Sequence, residues 1–354
     1  MLEIIEEICK VAVEHGAEDV FLRGDEIPNA RIGGQIHELG ENCITHEQME
    51  AFWAHCGANE DSNKERDVSW KSPDQMRYRV NCFKSMGSLC AVLRPLRADI
   101  KELAELGLPE ERLTSWLTRK NGLILVTGAT GCGKSTSLAA CLSWVSKNLS
   151  KHIITVEDPI EYLLKSDRSM ISQRQVGVDT ESFACGLRSA LRQSPDVILV
   201  GEIRDYETAR VALNACETGH LVVSTLHSAN VAETAERLIS MFPADERKSA
   251  LMVLSKQLIG VMCQKLVATQ QGGMCVLLEH IQNSGVLRKW IQEGEVGKIS
   301  EFLEQGTTTE NVRFIDSIMA AYRQGIITEE VAKGSCEDPA VFERMKLGVG
   351  HGSR

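Results

Sequence analysis

Gly128-Ala-Thr-Gly-Cys-Gly-Lys-Ser135 sets glycine, glycine, lysine and a hydroxyl at the spacing G-x-x-x-x-G-K-S. The chemistry that this spacing serves is the binding of a polyphosphate. Glycine lets the backbone turn so that successive N–H groups face one anion. A strand expected to end at Thr127 and a helix expected from Lys134 add the positive end of a helix to that attraction. Lys134 then reaches the β- and γ-phosphates, and the Ser135 hydroxyl binds Mg²⁺. Gly128, Thr130, Gly131, Cys132, Gly133, Lys134, Ser135 and Thr136 are the expected nucleotide-binding residues. ATP and Mg²⁺ are the expected cofactors, and hydrolysis of ATP to ADP and phosphate is the expected reaction. Cys132 lies near a helix N-terminus, a setting that can lower a thiol pKa and suit redox sensing; the plainer alternative is that this loop position tolerates many side chains.

Hydrolysis needs carboxylates that a phosphate loop lacks. Val197-Ile-Leu-Val200-Gly201-Glu202 is an apolar run that ends in an acid, as Walker B strands do. Glu202 is expected beside Mg²⁺ or its waters, with Arg204 and Asp205 following at the sheet mouth. Thr155-Val-Glu157-Asp158-Pro159-Ile160-Glu161 ends another strand with three acids in five positions. Such a cluster can orient or deprotonate the attacking water. Thr218-Gly219-His220 and Thr225-Leu226-His227 bracket a further strand with histidines. His220 and His227 are expected to sense the γ-phosphate.

These residues need a frame. Strands at Leu123–Thr127, His152–Val156, Val197–Val200 and Leu221–Thr225 alternate with helices at Lys134–Lys147, Thr180–Arg192 and Tyr206–Glu217. That alternation predicts a mostly parallel sheet covered on both faces, with ligands at the carboxyl ends of its strands. A smaller α+β unit precedes it: a helix over residues 2–15, a strand at Asp19–Arg23, a hairpin about Gly33-Gly34 and strands at Asp67–Lys71, Met76–Phe83 and Leu89–Arg94. The expected divisions are an N-terminal domain over 1–97, a linker over 98–121, an α/β core over 122–283, a helical region over 284–340 and a disordered tail over 341–354.

At 354 residues the chain suits two domains. No apolar run approaches the ~18 residues of a membrane span, and the acidic start (Glu3, Glu6, Glu7) is unlike a signal peptide, so a cytoplasmic location is expected. The net charge of −10 argues against a nucleic-acid partner. Twelve cysteines with no C-x-x-C pair argue against zinc.

Walker A, aspartate box, Walker B and histidine box, in that order, resemble the type II/IV secretion ATPase superfamily. The four boxes are Gly128–Thr136, Thr155–Glu161, Asp196–Asp205 and Thr218–His227. Within it the chain is similar to the PilT-like pilus-retraction motors. Arg77-Tyr-Arg79-Val-Asn81-Cys-Phe83 resembles their Arg-Phe-Arg-Val-Asn-Ala-Phe segment, and Val286–Glu293 resembles their Ala-Ile-Arg-Asn-Leu-Ile-Arg-Glu segment. The likeness runs from about residue 2 to 333. It implies a PAS-like N-terminal domain, a RecA-like core and a homohexameric ring. The ring would stand peripherally on the cytoplasmic face of the inner membrane, against the platform protein of a pilus or secretion machine. It implies Glu161 as general base and Glu202 as the Walker B acid. It also implies Arg77, Arg79, Arg94 and Arg97 as arginines offered to a neighbour's nucleotide, a role worth ~10³–10⁵ in rate. Two departures stand out: Glu18-Asp19-Val20-Phe21-Leu22 lacks the family's strand histidine, and Gln292 replaces the second arginine of the C-terminal segment. A RecA-like enzyme acting on nucleic acid and a non-hydrolysing accessory motor subunit are the competing readings.

Overall fold

The computed structural model describes residues 2–57, 65–74, 76–96, 99–304 and 311–348. The chain forms two compact units, Met1–Ala98 and Asp99–Arg354.

In the first unit the elements run α1 (Leu2–Glu14), β1 (Asp19–Arg23), β2 (Asn29–Ile32), β3 (Gln35–Glu38), α2 (His46–His55), β4 (Arg66–Lys71), β5 (Arg77–Ser85) and β6 (Ser88–Pro95). The strands make an antiparallel sheet in the order β3-β2-β1-β6-β5-β4. Alternation sorts its two faces. Val20, Leu22, Tyr78, Val80, Cys82, Leu89, Ala91 and Leu93 point to one core with Ile5 and Cys9 of α1 and Met49 and Phe52 of α2. A capping box starts α2: Thr45 accepts from the Gln48 backbone, and the Gln48 side chain accepts from the Thr45 N–H.

The second unit begins with α3 (Glu110–Leu117), β7 (Gly122–Thr127), α4 (Lys134–Asn148), β8 (His152–Glu157), β9 (Met170–Gln175), α5 (Phe183–Ala190), β10 (Val197–Val200), α6 (Tyr206–Glu217) and β11 (Leu221–Leu226). It continues with α7 (Val231–Ser240), α8 (Arg247–Gln257), β12 (Leu258–Ala268), β13 (Met274–Gln282), α9 (Gly285–Glu293), α10 (Lys298–Glu304), α11 (Phe314–Arg323), α12 (Glu329–Ser335) and α13 (Pro339–Lys346). The sheet order is β13-β12-β7-β11-β10-β8-β9, parallel throughout except for β13 against β12. Both faces of β7 are buried, which explains its unbroken apolar run. Leu123 and Leu125 pack with α6, α7, α8 and the C-terminal helices, whereas Ile124 and Val126 pack with α3 and α4. Among the described residues no helix is long and apolar enough to cross a membrane.

Two expectations change here. The expected linker stretch, residues 99–121, carries a short helix, α3, and is packed: Leu103, Leu108, Leu113, Trp116 and Leu117 are buried under β7 and β12. The apolar spacing of that stretch covers one face of the sheet. The disordered tail expected over 341–354 is also too long. Residues through Lys346 form α13, because Asp338 caps its start and Phe342 is buried against the Tyr322 ring. Lys346 and Glu343 extend ion pairs to Glu329 and Lys333 of α12. Residues 349–354 lie outside the described residues.

Gly260, in β12, touches the indole of Trp116 so closely that a Cβ there would stand 2.3 Å from the ring. Trp116 is fully buried, and its N–H donates to Gln282, so it cannot move aside. Gly260→Ala should therefore cost about 1–3 kcal/mol of stability. Denaturant unfolding of the two proteins measures it, and equal midpoints would contradict the packing described.

Candidate active site

The parallel register brings the ends of β7, β8, β10, β11 and β12 to one edge of the sheet. At the end of β7 the chain enters the 128–133 loop. Gly128, Gly131 and Gly133 have φ of 138°, 79° and 87°, all left-handed. At Gly128 a side chain is also excluded sterically: a Cβ would stand 2.3 Å from the Gln264 carbonyl oxygen. Gly133 is the N-cap of α4, so the helix's first free N–H groups face out of the loop.

Lys134 Nζ donates to the carbonyls of Gly128 and Ala129, each at 2.9 Å, and approaches His227 Nδ1 at 3.5 Å. His227 Nε2 in turn lies 3.3 Å from Glu202 Oε1, and Arg204 Nε donates to Glu202 Oε2 at 2.7 Å. The lysine ammonium can only donate, so Nδ1 accepts and Nε2–H points to the carboxylate. One imidazole thus joins the Walker A lysine to the strand-end acid. Its loop is held by buried hydroxyls: Ser228, Thr234 of α7 and Thr127 of β7 are hydrogen-bonded in series.

His220 does not join this site. It precedes β11, beside the start of β7, where Gly122 N–H donates to its carbonyl. Its Nδ1 donates to the Ala215 carbonyl and meets the Thr218 hydroxyl at 3.2 Å. A six-residue strand separates the two histidines, which places them about 20 Å apart. His220 therefore secures the α6–β11 turn. Asp205 is structural as well: it caps α6 by accepting from the Thr208 N–H and hydroxyl.

The aspartate box runs out of β8. Glu157 accepts from the Thr155 hydroxyl at 2.6 Å and from Gln173 at 3.1 Å. Burial pushes its carboxyl up against the lowering effect of those hydrogen bonds. Glu161 is exposed. Its neighbour Tyr162 shares a 2.8 Å hydrogen bond with Thr136 in the first turn of α4, which pins the box to the phosphate loop. Ser135 lies in that same turn.

Cys132 is buried, and burial raises its thiol pKa despite the opposing influence of Lys134 and the loop N–H groups. The low-pKa redox setting suggested by its position is thus overturned: the sulfur packs inward toward Gly128. Gln264 of β12, which motif reading passed over, is 1% exposed and lies directly beneath the loop. It is a polar residue inside an apolar strand, the signal that could have singled it out.

In the first unit, Arg77 and Arg79 alternate onto one face of β5, and Arg94 of β6 is the cross-strand neighbour of Arg79. Arg77 is exposed. Arg79 pairs with Asp67 at 3.6 Å, and Arg94 reaches Asp19 at 2.7 Å. Arg97 lies outside the described residues.

The family model described as type II/IV secretion system protein matches residues 62–320. The chain belongs to this family. The type IV pilus retraction ATPase PilT of Pseudomonas aeruginosa is 35% identical over 96% of this chain and 99% of its own. The type IV pilus ATPase PilU of the same organism is 36% identical over 97% and 91%. Among solved structures, the pilus retraction motor PilT with bound ADP aligns with a TM-score of 0.88 at 38% identity, covering 96% of this chain and 99% of that one. The Legionella pneumophila ATPase DotB aligns at 0.81 and 27% identity, covering 93% and 94%. The two-unit α/β architecture is that of these secretion-family ATPases, and the chain is an ATPase.

The two histidines separate experimentally. His227→Ala should lower ATP turnover by about 10²-fold, on the scale of losing one positioned polar contact to developing charge. His220→Ala should leave turnover within about twofold, because it touches only a turn. Steady-state phosphate release from the two variants decides between this assignment and a shared sensing role.

Proposed function

We propose that this chain is an ATP-driven motor of type IV pilus retraction. It works as a homohexameric ring on the cytoplasmic face of the inner membrane, against the platform protein of the pilus machine. The observation that carries this reading is the Lys134–His227–Glu202 series of contacts in a chain matched over 96% of its length by a retraction ATPase. A phosphate loop alone binds nucleotide. A lysine coupled through an imidazole to a strand-end carboxylate can also report whether a γ-phosphate is present.

The charge logic follows from the geometry. Lys134 now rests on neutral carbonyls. A γ-phosphate offers charged acceptors, which make stronger hydrogen bonds, so the ammonium is drawn from Gly128 and Ala129 and its contact with His227 changes. His227 passes that change to Glu202. Glu161 takes the proton of the attacking water, held near the loop by the Tyr162–Thr136 bond. Ser135 and Glu202 supply hard oxygen donors suited to Mg²⁺. Among the described residues no three His, Cys, Asp or Glu side chains converge as metal ligands, so phosphate and water must complete the shell, as is usual for this ion. Mg²⁺ when bound would neutralise charge on the β- and γ-oxygens. Arg77, Arg79, Arg94 and Arg97 complete the neighbouring subunit's site. Asp67 and Asp19 hold Arg79 and Arg94 meanwhile and separate like charges that sit opposite each other on the sheet.

A secretion motor is the second reading, favoured by the likeness to DotB over nearly the whole chain. Two measurements test the proposal. Glu202→Gln should retain ATP binding and lower turnover at least about 10²-fold; a variant that still hydrolyses ATP removes Glu202 from the mechanism. Cells lacking the chain should accumulate pili that do not retract. Pili that fail to assemble, or normal pili with a failed secretion phenotype, would overturn the retraction assignment.

A further inference from the structure

The side chain of Gln264 is pinned at both ends. Its Nε2 donates to the Cys132 carbonyl at 2.6 Å, and its Oε1 accepts from the Ser137 hydroxyl at 3.0 Å. A backbone carbonyl can only accept, so the amide orientation is determined. Around this amide the loop is closely fitted. A Cβ on Gly133 would stand 3.3 Å from Nε2, and one on Gly128 would stand 2.3 Å from the Gln264 backbone oxygen. Cys132, Ser137 and Gln264 are all buried.

The consequence lies in peptide geometry. A trans peptide is planar, with its C=O and the following N–H pointing in opposite directions. Holding the Cys132 carbonyl inward therefore aims the Gly133 N–H outward. Gly133 sits at the mouth of the loop as the N-cap of α4, with φ 87°. Glycine here leaves the peptide free to flip at little steric cost, and a flip would present a carbonyl to the phosphate in place of a donor. Below the loop the Cys132 carbonyl is held by the Gln264 amide, and a flip would break that bond.

We infer that Gln264 is a positioning residue of the nucleotide site, which acts on the phosphate through the Cys132–Gly133 peptide without touching it. The inference rests on the nucleotide-site reading above. It requires a neutral donor at position 264. Glutamate has nearly the same shape and can still accept from Ser137, but as a carboxylate it places an acceptor against the Cys132 carbonyl. Only its protonated form can donate, and burial raises a carboxyl pKa into the neutral range.

The test is ADP binding by full-length chain, measured by calorimetry between pH 8 and pH 6, for the unmodified protein, Gln264→Glu, Gln264→Leu and Ser137→Ala. Thermal unfolding without nucleotide establishes that each is folded. At pH 8 both Gln264 variants should bind ADP about tenfold or more weakly, the scale of a buried carbonyl left unpaired. As the pH falls to 6, Gln264→Glu should recover affinity relative to the unmodified chain, whereas Gln264→Leu should not. Ser137→Ala, which frees one end of the amide and keeps the donor, should lose only a few-fold and provides the answer if neither Gln264 variant folds. Folded Gln264 variants that bind ADP normally, or a Gln264→Glu loss that stays constant with pH, would overturn the inference and leave the nucleotide site intact. An unmodified chain that binds no ADP would overturn both.

Discussion

The parallel register about β7 is the constraint on which the rest of the second unit depends. Thr127 is level with Leu226 of β11 and Cys263 of β12, and Val200 of β10 is level with Ser224 of β11 and Val156 of β8. Backbone hydrogen bonds lock that alignment, so the phosphate loop, the Walker B acid, the aspartate box and the histidine loop all emerge at one edge. Moving any strand by one residue would turn its side chains to the wrong layer, since Leu123 and Leu125 serve one core and Ile124 and Val126 the other. Burial on both faces thus sets the precision of the site.

That frame also explains where polar groups are allowed inside. Ser224 and Thr225 of β11 donate their hydroxyls to the carbonyls of Val200 and Gly201. Thr127, Thr234 and Ser228 satisfy one another. Glu279 of β13 accepts from the first N–H of α7, although burial pushes its carboxyl up. Each of these groups sits within reach of the loops at the sheet edge and has a partner, which offsets the cost of its desolvation. The polar interior is a set of supports for the loops of the candidate site. β12 extends the same logic outward: beside Gln264, the Lys265 ammonium bonds the Ser335 carbonyl and lies over the Phe314 ring. One strand therefore touches the phosphate loop on one side and the C-terminal helices on the other.

The separation of the two histidines has a simple cause. Motif reading treats residues as near when they are near in sequence, whereas a strand carries them apart. His220 and His227 flank one short strand and so lie at opposite edges of the sheet. Cys132 occupies a loop that attracts anions, but its side chain faces inward, where desolvation outweighs that attraction.

The sequence by itself determined the local patterns of the candidate nucleotide site. The loop glycines, Lys134, Ser135 and the strand-end Glu202 are local patterns whose geometry follows from a strand, a turn and a helix. It determined the alternating α/β order too, because period and run length are local properties. Only the tertiary structure decided which of two histidines reaches the lysine, which acid is buried and which exposed, and that residues 99–121 form a packed layer. Gln264 belongs to the same class. Its partners, Cys132 and Ser137, lie more than a hundred residues away in the chain, and a contact at that separation exists only once the strands have taken their register.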